Sequence, residues 1–268
     1  MEKITSRDNH KLKFIRKVRD GKIKEAIFVE GVRLAEEALK SNLTVIEALI
    51  SSGFAENNRR RELIDKLLDR ELSVSEVSES MFQSAADTSN AQGIILIAER
   101  PKISRAGIEN NLQNAPGRLA LVIFLHEIND PSNLGAILRT AEAAGVAGVI
   151  ISKDSSDAFS PKALRAAMGA SFRMPIWDKA DSGEVLRWAG EHPLGLIAAD
   201  CRASKTYIQI DWKKPRLLVF GSEAHGIGSH LREKIQELIL IPMANNVESL
   251  NVAVACGIVL FESRRQNS

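Results

Sequence analysis

Residues 119–151 read LALVIFLHEINDPSNLGAILRTAEAAGVAGVII. An apolar run, 119–125, gives way to a polar loop, then to a helical stretch over about 134–144 that Gly145 closes, then to a second apolar run at 149–151. Short β-branched runs joined by a helix indicate α/β architecture rather than a sandwich or a helical bundle. Gly145 is placed where a helix C-terminus favours a residue without a side chain.

The same alternation extends in both directions. Towards the C-terminus it predicts strands at 174–177, 194–199, 217–220 and 238–241. A last helix follows over about 249–263, with Leu250, Val254, Ile258 and Phe261 at helical spacing. Towards the N-terminus a second, smaller series opens with Thr5-Ser6 as a cap for a basic helix. It continues with strands at 26–30, 45–50, 72–74 and 94–97 and helices at 32–40 and near 56–69. Residues 101–117, PKISRAGIENNLQNAPG, carry no sustained apolar period, so the expected division is a domain over 1–100, a linker over 101–117 and a second domain over 118–268.

Composition narrows the function classes. The chain has 268 residues, 44% hydrophobic and 26% charged, which excludes a mainly disordered or fibrous protein. Lys and Arg total 36 against 34 Asp and Glu, so the net charge of +2 implies no polyanion partner by itself. Residues 1–24, however, hold nine basic side chains against Glu2, Asp8 and Asp20. Such a helix either grips phosphates through counterion release or is simply a solvated face. Cys201 and Cys256 are too few for a disulfide framework and have no CxxC neighbour, consistent with a reducing cytoplasm and no structural zinc. No apolar stretch is long enough to span a membrane, and the N-terminal residues do not resemble a signal peptide.

GxxxxGK[ST], GxGxxG, GxSxG and HExxH are all missing, and the five histidines show no ligand spacing. What remains is three strand-to-loop junctions, placed where open α/β sheets bind ligands. The first carries Asn133 and Arg139; Arg139 either forks onto a phosphate or faces solvent. The second is Gly221-Ser222-Glu223-Ala224-His225-Gly226-Ile227-Gly228, whose glycines serve a ligand or tight turns. In the third, following 238–241, Ser249 is the expected cap of the last helix, and Asn251 needs partners if buried.

In order and spacing, LHEINDPSNLGAILRTAEAAG, LLVFGSEAHGIG and LIPMANNVESLNVAVACGI resemble the three motifs of the SpoU-type (TrmH-like) RNA ribose 2′-O-methyltransferases of the SPOUT superfamily. The resemblance covers about residues 118–265. The first hundred residues, with FVEGVRLAEEAL, resemble the L30e-like substrate-binding domain that precedes such catalytic domains. The family implies a trefoil-knotted α/β domain and S-adenosylmethionine held by Phe220, Gly221, Ile241, Met243, Leu250 and Asn251. It implies a target pocket of Arg139, Asn133, Glu223, Ser249 and Asn251, no metal, and a homodimer through the final helix. With the resemblance in view, Lys11, Lys13, Arg16, Lys17 and Arg139 are the expected RNA contacts, and structured RNA is the expected partner, ribosomal ahead of transfer RNA. A non-catalytic RNA-binding factor and a drug-resistance methyltransferase are the competing readings. One position departs from the family pattern: Asn245 and Asn246 follow where the third motif carries Gly, and Asn tolerates positive φ better than most residues.

Overall fold

The computed structural model describes residues 1–268 apart from 103, 104, 115–118, 223, 224 and 246. In chain order it runs β1 (Glu2–Lys3), α1 (His10–Arg19), β2 (Ala26–Glu30), α2 (Val32–Lys40), β3 (Val45–Ser51), α3 (Asn58–Asp69), β4 (Val74–Val77), α4 (Glu79–Ala85) and β5 (Ile94–Glu99). It continues with α5 (Arg105–Asn114), β6 (Leu119–Leu125), α6 (Pro131–Ala144), β7 (Val146–Ser152), α7 (Pro161–Ala167), α8 (Ala170–Arg173), β8 (Ile176–Ala180) and α9 (Ser182–Glu191). The remaining elements are β9 (Gly195–Ala199), β10 (Lys205–Thr206), β11 (Arg216–Phe220), α10 (Ser229–Arg232), β12 (Glu237–Leu240) and α11 (Val252–Gln266). The chain divides into two compact units, Met1–Lys102 with Phe159–Arg173, and Ile103–Ala158 with Met174–Ser268.

The first unit is built on a mixed sheet ordered β1-β4-β3-β5-β2. Every residue of β2 is buried, so both faces of the sheet are covered. Ala26 and Phe28 meet Leu12, Ile15 and Val18 of α1 and Met81, Phe82 and Ala85 of α4. α2 and α7 also pack on β2. α7 and α8 lie within the expected second domain, 118–268, yet the chain folds them into the first unit. Ala163, Leu164 and Ala167 are buried there, and Arg165 pairs with Asp87 at 2.7 Å and Arg173 with Glu37 at 2.6 Å. Two expected boundaries move. The run at 72–74 becomes a strand only from Val74, because the Leu72 amide donates to Leu67 O and closes α3. The cap of α1 is Asn9, whose Oδ1 accepts from Lys11 N at 2.8 Å, rather than Thr5 or Ser6.

In the second unit seven strands form one sheet, β10-β12-β9-β11-β6-β7-β8, and every pair in it is parallel. Parallel strands buried on both faces need apolar residues at consecutive positions, which is why β6 reads LALVIFL. Val122 and Phe124 point into a core with Ile108, Val185, Trp188, Val219 and Ile227. Neighbouring strands follow the chain from β6 to β8, then the order reverses: β9 starts on the far side, and β11 is inserted between β9 and β6.

The expected linker 101–117 holds a helix instead, α5, which packs against β6, β7 and β8; linker residues 103, 104 and 115–117 lie outside the described residues. Apolar periodicity could not reveal α5, because Ile108 is its one fully buried side chain. Leu112 is only partly buried against the same core, and two further anchors are polar: Asn111 Nδ2 donates to Ala147 O at 2.9 Å, and Trp188 Nε1 donates to Glu109 Oε1 at 2.9 Å. A Cβ on Gly148 of β7 would lie 2.6 Å from Ile108 Cγ1, so this glycine allows the helix to approach. Helix α9 likewise starts from its own capping residue, with Asp181 Oδ1 accepting from Gly183 N and Glu184 N.

The two cysteines differ sharply in setting. Cys256 on α11 is fully buried, which pushes its thiol well above the ordinary range, while Cys201 is exposed. A thiol reagent should therefore label Cys201 alone in the folded protein and both cysteines in denaturant; two fast-reacting native thiols would contradict the burial of α11.

Candidate functional site

A cavity of about 480 Å³ opens at the carboxyl ends of β9, β11 and β12. Ala199 and Asp200 line it behind β9; Phe220, Gly221 and Ser222 behind β11; and Leu240, Ile241 and Met243 behind β12. Glu248, Ser249 and Leu250 bring the chain to α11, whose Val252 and Ala255 complete the wall. Strand ends in a parallel sheet all point the same way, so their following loops gather at one edge.

Gly221 is required at its position. A Cβ there would lie 2.2 Å from the Gly226 carbonyl carbon and oxygen and 2.5 Å from Ile227 N, all main-chain atoms. The turn folds back on itself because Gly226 N donates to Ser222 O at 2.8 Å. Gly226 and Gly228 both have positive φ, 65° and 66°. Asn245, where the family pattern carries Gly, has φ 57°, so the left-handed turn is kept by a residue that tolerates it.

The first and third junctions meet directly. Asn251 Nδ2 donates to Asn133 Oδ1 at 2.9 Å, joining the start of α11 to the first turn of α6. Asn251 is also the cap of α11: its Oδ1 accepts from Ala253 N at 3.0 Å and Val254 N at 3.3 Å. The expected capping by Ser249 is thus corrected, and the last helix starts at Val252 rather than near 249. Ser249 is exposed and lines the cavity instead. Arg139 is exposed on α6. Glu223 and Asn246 lie outside the described residues.

The loop that leads into α6 is tied down by groups on β11, on β7 and in the loop after β7. His126 N donates to Phe220 O at 2.8 Å, Glu127 N to Ser152 Oγ at 2.9 Å, and Ile128 N to Ser155 Oγ at 3.0 Å. These serine contacts hold the helix that bears Asn133 and Arg139, and no local pattern marks them.

Residues 120–261 match the SpoU rRNA methylase family, and residues 28–104 match the RNA 2′-O ribose methyltransferase substrate-binding family. The chain belongs to the SpoU methylase family. It is 32% identical to an uncharacterized tRNA/rRNA methyltransferase of Synechocystis over 98% of this chain and 93% of that one. It is 34% identical to a 23S rRNA (guanosine-2′-O-)-methyltransferase of Vibrio cholerae over 82% of this chain and 89% of the relative. An AdoMet-bound rRNA methyltransferase from Sinorhizobium meliloti superposes with a TM-score of 0.83 at 30% identity, covering 98% of this chain and 97% of that one. SpoU-type cofactor positions named from the motifs, Phe220, Gly221, Ile241, Met243 and Leu250, all line the cavity; Asn251 stands just outside, on Asn133.

Of the four N-terminal cations expected to meet RNA, Lys11 is turned inward. Its Nζ pairs with Glu2 at 2.9 Å and Glu47 at 3.1 Å, and donates to Ser73 Oγ at 2.9 Å. Burial works against its charge, but the hydrogen bonds to both carboxylates outweigh it and raise its pKa. Glu47 is nearly buried, so an unpaired charge there would be costly, and Lys11 serves the fold. Arg16 donates to Arg7 O at 3.2 Å and Ser84 Oγ at 2.8 Å. Lys13, paired with Asp8 at 3.0 Å, and Lys17 are exposed. Sequence reasoning also missed Asp200, Cys201 and Arg202 in the cavity wall, although they follow an apolar strand as the other three junctions do.

Gly221→Ala should lower affinity for S-adenosylmethionine about tenfold or more, since main-chain atoms must give way at about 1–3 kcal/mol. Calorimetric titration checks this, and unchanged affinity would remove Gly221 from the cavity's critical wall.

Proposed function

We propose that this SpoU-family chain transfers a methyl group from S-adenosylmethionine to a ribose 2′-hydroxyl of structured RNA, with 23S-type ribosomal RNA ahead of transfer RNA as substrate. The observation that carries the reading is the Asn133–Asn251 hydrogen bond, which brings the first and third motifs together beside a cavity walled by the second. That ribosomal RNA comes first rests on the family match and on the relatives' names. Cytoplasmic residence follows from the same substrate; among the described residues no helix is long and apolar enough to cross a membrane.

The cavity suits the cofactor. Phe220, Ile227, Ile239, Leu250 and Val252 offer apolar walls for a flat heterocycle, and the tight turn at Gly221 brings main chain to its edge. When bound, S-adenosylmethionine supplies a methyl on a sulfonium, a leaving group already activated. Phe220, Gly221, Ile241, Met243, Leu250 and Asn251 hold it in this reading. Asn133, Glu223, Ser249 and Asn251 complete the pocket for the ribose.

Arg139 engages the target. A guanidinium offers only donors, so it acts as a phosphate clamp and as a stabiliser of negative charge developing on the 2′-oxygen. The hydroxyl proton leaves to water or a neighbouring group. The first hundred residues grip RNA through phosphates, 2′-hydroxyls and shape, with Lys13 and Lys17 as exposed cations. A homodimer through α11 fits the exposure of Val254 and Phe261, each 52%, on a helix whose other side is buried against α6.

Incubation with methyl-labelled S-adenosylmethionine and total RNA from a strain lacking the protein, followed by digestion and mass mapping, should place the label on one ribose of 23S RNA. Label on transfer RNA would change the substrate, and no label despite cofactor binding would favour the non-catalytic reading. Arg139→Ala should cut turnover by about 10²–10³-fold while leaving cofactor affinity intact; retained turnover would remove Arg139 from the reaction. Lys13→Gln with Lys17→Gln should weaken RNA binding and flatten its salt dependence by about 0.7–0.9 in log–log slope per charge, whereas an unchanged slope would make α1 a solvated face.

A further inference from the structure

Beside the cofactor cavity lies a second recess of about 340 Å³, lined by Arg202, His225, Ile227, Gly228, Ser229 and Arg232. Arg202, His225 and Ile227 line both spaces. Its charge is organised by Asp200, whose side chain is only 7% exposed. The Asp200 amide donates to Ile239 O at 2.9 Å, which pins the residue to β12. Its Oδ1 accepts from Arg202 N at 2.8 Å and Arg202 Nε at 3.2 Å, and its Oδ2 accepts from Arg202 Nη2 at 3.3 Å. Arg232, on α10, pairs with the same carboxylate.

We propose that Arg202 and Arg232, gathered on Asp200, hold a backbone phosphate of the RNA substrate; the assignment rests on the methyltransferase reading above. Two guanidiniums share one carboxylate, so the recess keeps a net positive charge before His225 is considered. Arg202 spends two side-chain N–H groups of five on Asp200, and the rest of its fork is available to a second oxyanion. The Arg202 side chain is 74% exposed, and an ion pair so exposed adds little to stability. The contacts therefore orient the guanidinium at the rim rather than secure the fold. A nucleotide whose ribose enters the adjoining cavity carries phosphates on both sides, and planar guanidinium forks match phosphate geometry. Neither arginine belongs to the three motifs, so the recess would set how the target strand is seated rather than perform the transfer.

The test uses the full chain and 23S ribosomal RNA, with RNA affinity measured over a salt series and cofactor affinity by calorimetry. Arg202→Gln should weaken RNA binding about five- to tenfold and flatten the salt slope by about 0.7–0.9, with any change in cofactor affinity smaller than the loss for RNA. Arg202→Lys should recover part of the loss. Lys213→Gln, at an exposed cation lining neither space, should leave both affinities at the wild-type level. Equal losses in the Arg202 and Lys213 variants would reduce the effect to net charge and overturn the site, as would unchanged RNA binding by Arg202→Gln. A loss confined to the cofactor would overturn it too, by assigning the arginines to the cofactor's carboxylate. Wild-type protein that binds RNA yet transfers no methyl counts against the methyltransferase reading alone, because the recess is scored by binding.

Discussion

The second unit depends on β11 lying between β6 and β9. All five residues of β11 are in register with β6, from Arg216 opposite Leu121 to Phe220 opposite Leu125, and four of them also pair with β9. A strand inserted there satisfies its main-chain donors and acceptors on both sides, which a buried strand must do. It also places the ends of β9 and β11 side by side, with β12 next in the sheet. The cavity follows from that order, since three parallel strands release their loops at one edge. Helix α11 then packs on α6, so the chain's last element returns to the helix after β6, and Asn251 reaches Asn133.

Polar groups do much of the positioning around this edge. Ser152 and Ser155 fix the loop before α6, Asn251 caps α11 and bridges to α6, and Asp200 gathers two arginines. Each sits where main-chain groups would otherwise lack partners or where charge must be held in a set direction. The first unit shows the same economy with a different outcome. Lys11, one of a run of cations that looks suited to phosphate, is consumed by Glu47, Glu2 and two serines. Lys13 and Lys17, on the same helix, stay exposed. Charge counts over a segment do not distinguish these roles; the facing sheet does.

Much of the architecture was legible from local pattern. Strands β2, β6 and β11 and helices α2 and α6 announce themselves because apolar runs and helical periods reflect burial directly, while Gly145 marks a left-handed helix end and Gly221 a turn that a side chain would obstruct. The SpoU motifs locate the cavity wall from sequence because its main-chain-lined turns demand particular residues at particular spacings. Helix α5 was hidden because it buries one apolar side chain fully and is otherwise held in part by hydrogen bonds to distant elements, Asn111 donating to Ala147 and Glu109 accepting from Trp188. The membership of α7 and α8 in the first unit was hidden for a related reason, as Arg165 and Arg173 find Asp87 and Glu37 far away in sequence.

The sequence by itself determined the alternation of strand and helix, the three motif loops and hence the family, since these rest on contacts and turns between near neighbours. The tertiary structure alone decided the strand order that sets β11 between β6 and β9, the pairing of Asn133 with Asn251, and which cations are spent internally. Those outcomes depend on groups far apart in the sequence meeting, or on which face of a helix meets a sheet, and no local propensity encodes either.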